Sequence, residues 1–288
     1  MTGNEAIEQF MAYLLQHERS QKTLIGYQSD LLGYQRYYET HANVGWIVEQ
    51  TQTEDLEAYL QYIKLERHLK AGTYNRILYG FRSFFRFCTR KGICPHNIAE
   101  PLESIRYSRP ERRIPDTQEL ESFIRHIERP LMQMVAWTLF YSGLRIAECL
   151  HLTMGDVDFA HRQILVRQGK GNKDRIVPLA EKLYPLLWSY RQEFRSGASE
   201  TERFFATEAS GQLSSTLVNK VFHETSERMK RTNPVTAHQF RHCFATTLLR
   251  NGANLVEVQR ILGHSSLNVT SVYLHHTLED LSKAVNRL

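Results

Sequence analysis

Apolar residues recur at helical spacing through most of the first hundred positions, with polar residues filling the other faces. Thr2 or Asn4 can open a first helix that runs to His17. Ser20 opens a second, "QKTLIGYQSDLLGYQRYYET", with Leu24, Tyr27, Leu31 and Tyr34 on one stripe. Thr53 stands where it would cap a third, "EDLEAYLQYIKLER". In a fourth, "TYNRILYGFRSFFRFCTRKG", Ile77, Phe81, Phe84, Phe85 and Cys88 share the buried face, and Gly92 ends it. The opposite side of that helix carries Arg82, Arg86 and Arg90 at i, i+4 and i+8.

The pattern then breaks. "AEPLESIRYSRPERRIPD" has three prolines and no hydrophobic period, so it reads as a linker. Asp116 with Glu119 three residues on forms a capping box, which begins a second domain. Helices "TQELESFIRHI" and "PLMQMVAWTLFYSG" lead into "LRIAECLHLTMGDVDF". Two short strands follow, "RQILVRQ" and "KDRIVPL", with Val166 and Ile176 in alternating patterns and the turn "GKGN" between them. Further helices run from Ala180 to the end.

Composition narrows the class only slightly. With 42% hydrophobic and 23% charged residues over 288 positions, the chain is that of a globular protein long enough for two cores. It has no apolar run of ~18 residues. The polar, acidic start "MTGNEAIEQF" is unlike a signal peptide, so a cytoplasmic location and no membrane partner are expected. Cys88, Cys94, Cys149 and Cys243 lack C-x-x-C spacing and read as reduced, mostly buried thiols. Thirty-six Lys and Arg against 31 Asp and Glu give a formal +5 and a pI near 9.0, which tilts toward a polyanionic partner. The row Arg82, Arg86, Arg90 then has two readings, a solvated helix face or a rail for nucleic-acid phosphates.

Four short stretches carry the candidate chemistry. In "TAHQFRHCFATTLL", His238 and His242 are spaced as metal ligands on a helix, but Gln239 stands where a zinc hydrolase would have a general base, and Arg241 repels a dication. His238 and Arg241, three apart, fit an anion better, so no metal or other cofactor is expected. In "LFYSGLRIAECLHL", Gly143 ends one helix and Arg145 starts the next, where a guanidinium and free N–H groups can meet a phosphate. In "QGKGNKDR", Lys170 lies between two glycines at a hairpin turn. In "ILGHSSLNVTSVYLHH", His264 follows Gly263, and Tyr273 comes nine residues later. Each stretch has a plain alternative in surface charge or packing when taken alone.

Together and in this order, "SGLRIAEC", "GKGNKDR", "HQFRHCFAT", "LGHSS" and "VYLHH" resemble the tyrosine site-specific recombinases, or phage-type integrases, most closely the Xer-like branch. The resemblance spans essentially the whole chain. It implies a mainly α, two-domain fold: an all-α helical core-binding domain at 1–105, a linker at 106–115, and a mostly α catalytic domain with a small antiparallel β-sheet at 116–288. It implies catalytic roles for Arg145, Lys170, His238, Arg241, His264 and the nucleophile Tyr273. Arg76, Arg82, Arg86, Arg90, Arg112, Arg113 and Lys173 are the DNA-contact candidates. The implied partners are double-stranded DNA with paired inverted half-sites, further copies of the chain (a tetramer on DNA) or a related recombinase, and accessory proteins.

Such an enzyme cleaves through a 3′-phosphotyrosyl ester and exchanges strands through a Holliday junction, without metal or ATP. The two domains of such an enzyme clamp opposite faces of a duplex. Two rivals remain at this point, a type IB topoisomerase-like relaxing enzyme and a non-catalytic architectural DNA-binding protein. The tail "TLEDLSKAVNRL" places Leu278, Leu281, Val285 and Leu288 on a narrow apolar seam, suited to docking on its own domain or on a neighbouring copy.

Overall fold

The computed structural model describes residues 1–107, 113–167, 174–207 and 209–263. The chain divides into two compact units, Met1–Glu111 and Arg112–Leu288.

The first unit is helical. Helix α1 (Gly3–Gln16) is opened by a capping box between Thr2 and Glu5, and α2 (Gln21–Ala42) by the Ser20 hydroxyl, which accepts from the Thr23 N–H. Helix α3 (Thr53–Leu65) starts one residue earlier than Thr53 suggested as a cap. Gln52 is the N-cap, its N–H donating to Asp55 at 2.8 Å, while the Thr53 hydroxyl donates to the Ile98 carbonyl. Helix α4 (Ala71–Arg90) stops before Gly92, whose φ of +72° is the left-handed turn expected of it.

Aromatic rings fill the centre of this unit. Tyr34 is fully enclosed and meets Trp46, Tyr59 and Phe81 edge-on at 5.1–5.4 Å between ring centres. Each such ring contributes roughly 1.5–3 kcal/mol of burial. The Trp46 indole N–H donates to the Thr51 hydroxyl at 2.8 Å, so its one polar atom is satisfied. Gly3 lies against that indole so closely that a Cβ would sit 2.1 Å from the ring, which requires glycine there.

The second unit is helical around a small sheet. Helices α5 (Thr117–Arg125) and α6 (Pro130–Ser142) open it, α5 through the Asp116–Glu119 box and α6 with proline in its first turn. Helix α6 buries residues all round, from Met132 to Ser142, and the helix Ala237–Arg250 packs across it. The short α7 (Ile146–His151) follows, then strands β1 (Val157–Asp158), β2 (Gln163–Val166) and β3 (Arg175–Pro178) in the antiparallel order β1-β2-β3. Beyond them lie α8 (Tyr184–Phe194), α9 (Ser215–Arg228), α10 (Ala237–Arg250) and α11 (Leu255–Leu262).

Two details of the sheet differ from the sequence reading. A third strand, β1, pairs Val157 with Ile164, and the inward residue of β3 is Val177 (1% exposed), not Ile176 (56%). The β2–β3 register explains the second difference: Val177 faces Ile164 across the ladder, and both are buried. The architecture is mainly α, an all-α first unit and a mostly α second unit with a small antiparallel sheet. Among the described residues, no helix is long and apolar enough to cross a membrane. The four cysteines are buried free thiols.

Candidate active site

The site grows from the place where α6 ends. Gly143 turns the chain with φ +63°, and a Cβ there would lie 2.3 Å from the Phe244 ring, so only glycine lets α10 pack this close. The turn delivers Arg145 to the N-cap of α7, and Glu148, three residues on, accepts the Arg145 backbone N–H at 2.8 Å. The same carboxylate accepts the Arg145 guanidinium at 2.6 Å.

Arg241 reaches this place from α10. Its side chain is 2% exposed, Nη1 donates to the Gly143 carbonyl at 2.8 Å, and Nη2 donates to the Leu262 carbonyl at 2.6 Å. Glu148 lies 4.0 Å away. Arg145 also donates to the Gly263 carbonyl, at 3.4 Å. A buried guanidinium needs such partners, because desolvating it alone costs several kcal/mol or more.

A third arginine completes the cluster. Arg175, the first residue of β3, sends Nη1 and Nη2 to the two Glu148 oxygens at 3.0 and 2.7 Å. Burial alone would raise the Glu148 pKa, but the bonds and charge of Arg175 and Arg145 outweigh it and hold the carboxyl down to about 2. Glu148 is therefore an anion throughout the neutral range.

His238 sits one turn before Arg241 on α10, exposed, with the His242 ring edge-on to it at 4.3 Å. Burial, then the neighbouring His238 and Arg241, pull the His242 pKa down to about 4. His242 is thus neutral at pH 7 and adds no cation beside Arg241. Among the described residues, no group of His, Cys, Asp and Glu is arranged to hold a metal ion.

Of the six catalytic candidates, Arg145, His238 and Arg241 are brought to one region. Lys170, His264 and Tyr273 lie outside the described residues, as do Arg112, Lys173 and the seam of 277–288. The DNA-contact candidates of the first unit separate into two kinds. Arg76 is held by Asp30, and Arg82 donates to the backbone carbonyls of Ala99, Glu100 and Leu102. Arg86 is 57% exposed with Glu100 at 3.8 Å, and Arg90 reaches the Tyr13 hydroxyl at 3.2 Å. In the second unit, Arg113 is 80% exposed with Glu119 at 3.3 Å.

Sequence reasoning missed Glu148 and Arg175. Glu148 carried a local signal, the third position after a helix cap, where a carboxylate returns to the cap N–H. Arg175 stood within "GKGNKDR", but only the fold brings it to α7.

Residues 116–280 match the phage integrase family, and residues 7–92 match its N-terminal SAM-like domain. Tyrosine recombinase XerC of Lactobacillus delbrueckii subsp. bulgaricus is 32% identical over 96% of this chain and 95% of that protein. A tyrosine recombinase of Thermosipho africanus is also 32% identical, over 99% of this chain and all of its own. Among solved structures, the Tn1549 transposon integrase in complex with transposon right-end DNA superposes with a TM-score of 0.77 at 20% identity, covering 100% of this chain and 99% of that one. Fold and site thus define a DNA strand-cleaving and rejoining enzyme. The chain belongs to the phage integrase family, among its Xer-like tyrosine recombinases, and its reaction is site-specific recombination.

Proposed function

We propose that Tyr273 attacks a DNA phosphodiester held by Arg145 and Arg241, forming a 3′-phosphotyrosyl ester and freeing a 5′-hydroxyl. His264 adds a hydrogen bond to the same non-bridging oxygens, His238 assists proton transfer at the tyrosine, and Lys170 protonates the leaving oxygen. The ester keeps the energy of the broken bond, so rejoining needs no ATP.

One observation carries this reading: two guanidiniums far apart in sequence converge on the Glu148 carboxylate and on the successive carbonyls of Leu262 and Gly263, directly before His264. The charge supports it. Three guanidiniums and one carboxylate leave the cluster with two positive charges, which matches the doubly negative phosphorane better than the singly negative ground state.

Around this chemistry we assign 1–105 to a core-binding domain, 106–115 to a linker and 116–288 to the catalytic domain. The partner is duplex DNA carrying paired inverted half-sites, filled by four protomers of this chain or with a related recombinase, in the cytoplasm. Arg86, Arg90 and Arg113 meet DNA phosphates there, whereas Arg76 and Arg82 serve the fold of their own unit.

A nicked suicide duplex tests the reading. The wild-type protein should become trapped as a covalent adduct that Tyr273→Phe does not form, with half-site binding retained. An adduct from the Phe variant would reject Tyr273 as the nucleophile.

A further inference from the structure

We propose that Arg175 is a positioning residue for strand cleavage, acting through Glu148 and the end of α11 to hold Arg145 and Arg241 in register; this rests on the site reading above. Three successive carbonyls at the end of α11 are divided among the three arginines. Ile261 accepts from Arg175 Nε at 2.8 Å, Leu262 from Arg241, and Gly263 from Arg145. A helix leaves its last carbonyls without intrahelical partners, and its negative end favours cations, so the end of α11 is a natural rack for guanidiniums.

Glu148 repeats the same division from the other side. It bonds Arg145 and Arg175 and stands 4.0 Å from Arg241. Arg175 grips both supports: its forked nitrogens take both carboxylate oxygens while Nε takes the helix carbonyl. A planar guanidinium can do this in one geometry, and a lysine ammonium, a point charge, cannot.

Burial separates Arg145, 30% exposed, from Arg241 and Arg175, 2% and 11% exposed, and the Nε, Nη1 and Nη2 of Arg175 all donate to protein acceptors. Gly263 confirms how tightly Arg175 is seated, since a Cβ there would lie 2.9 Å from Arg175 Cδ. Arg175 is also the first ladder residue of β3, paired with Val166, so it stands at the end of the ladder next to the stretch of sequence that contains Lys170. Removing it leaves the phosphate contacts in place but frees Glu148 and the end of α11 to drift, and a displacement of ~1 Å can cost about 100-fold in rate.

The test compares Arg175→Lys, which keeps the charge, with Arg175→Gln, measuring half-site binding and single-turnover adduct formation on a suicide duplex at saturating protein. Both variants should bind within about threefold of wild type yet form the adduct about 100-fold more slowly. A 5′-bridging phosphorothiolate, whose sulfur leaves without protonation, should not restore the rate, because the fault lies at the non-bridging oxygens. Full restoration would overturn the proposal and assign Arg175 to the Lys170 segment.

Glu148→Gln combined with Arg175→Gln should be no slower than the worse single variant, and additive losses would overturn the shared brace. Should Arg175→Gln fail to fold, Arg175→Lys with a wild-type circular-dichroism spectrum carries the comparison. A wild-type protein that forms no adduct sinks the site reading; a wild-type rate in either Arg175 variant sinks the brace alone.

Discussion

Each unit of this protein buries a carboxylate against arginine, and the two carboxylates respond in opposite directions. In the first unit, burial raises the Asp30 pKa, and the bond and charge of Arg76 only partly oppose it. In the second, the same cost is present at Glu148, yet Arg175 and Arg145 together hold its pKa at about 2. The number of donors decides the sign. Arg76 is half exposed and spends much of its charge on water, whereas Arg175 is nearly buried and spends its charge on Glu148. A pair of the first kind locks two helices together. A cluster of the second kind keeps surplus positive charge in a fixed place, which phosphoryl transfer needs.

The widest gap should appear in stability. Glu148→Gln leaves closely packed guanidiniums without their anion and should cost about 3–5 kcal/mol, whereas Asp30→Asn should stay within about 1 kcal/mol of wild type. Calorimetric unfolding of the two variants measures both, and equal losses would erase the comparison.

Acid sharpens it next. Glu148 titrates near 2 in the folded protein against 4.5 as its ordinary value, so its stabilisation is complete above about pH 4.5 and is lost as the pH falls toward 2. Asp30 has the opposite sign, because its raised folded pKa means that its contribution is present below its ordinary 3.8 and is lost as the pH rises. Near-ultraviolet circular dichroism during acid titration should show a steep loss below pH 4.5 that Glu148→Gln flattens and Asp30→Asn does not.

A separate step, at higher pH, belongs to His242. Its folded pKa of about 4 lies below the ordinary 6.5, so its contribution is present above pH 6.5 and is lost as the pH falls through that window. His242→Gln should remove this step, and a wild-type acid profile in that variant would contradict the assignment. The smallest effect is expected at Arg86. Arg86→Ala should weaken half-site binding a few fold and reduce the slope of log affinity against log salt by about 1, whereas a wild-type salt slope would remove it from the DNA surface.

The local features of this fold were legible because they are written in adjacent residues. The Asp116–Glu119 box, the left-handed stops at Gly92 and Gly143, and the aromatic face of α4 all follow from spacing within a turn or two. β1 was not legible, since two residues have no period and exist as a strand only through their pairing with β2. Ile176 and Val177 are adjacent and both β-branched, so only the ladder decides which one turns inward. Three candidate residues that the fold brings to one region, Arg145, His238 and Arg241, were picked out by motif order. Their support was not, because Arg175 and Glu148 meet across 27 residues, and the α11 carbonyls carry no side-chain signature. Arg82 illustrates the reverse: its place in a helical arginine row gave no sign that three carbonyls of a following segment occupy it.

The central claim is that the guanidiniums at the end of α6 and α11 hold the charge of the scissile phosphate. It is tested most directly by comparing Arg145→Ala with wild type on two suicide duplexes, one ordinary and one with a methylphosphonate, which carries no charge, at the scissile position. On the ordinary duplex the variant should form the adduct about 10²–10³-fold more slowly. On the methylphosphonate it should approach the wild-type rate, because the charge that Arg145 balances is gone; an equal loss on both duplexes would contradict the account.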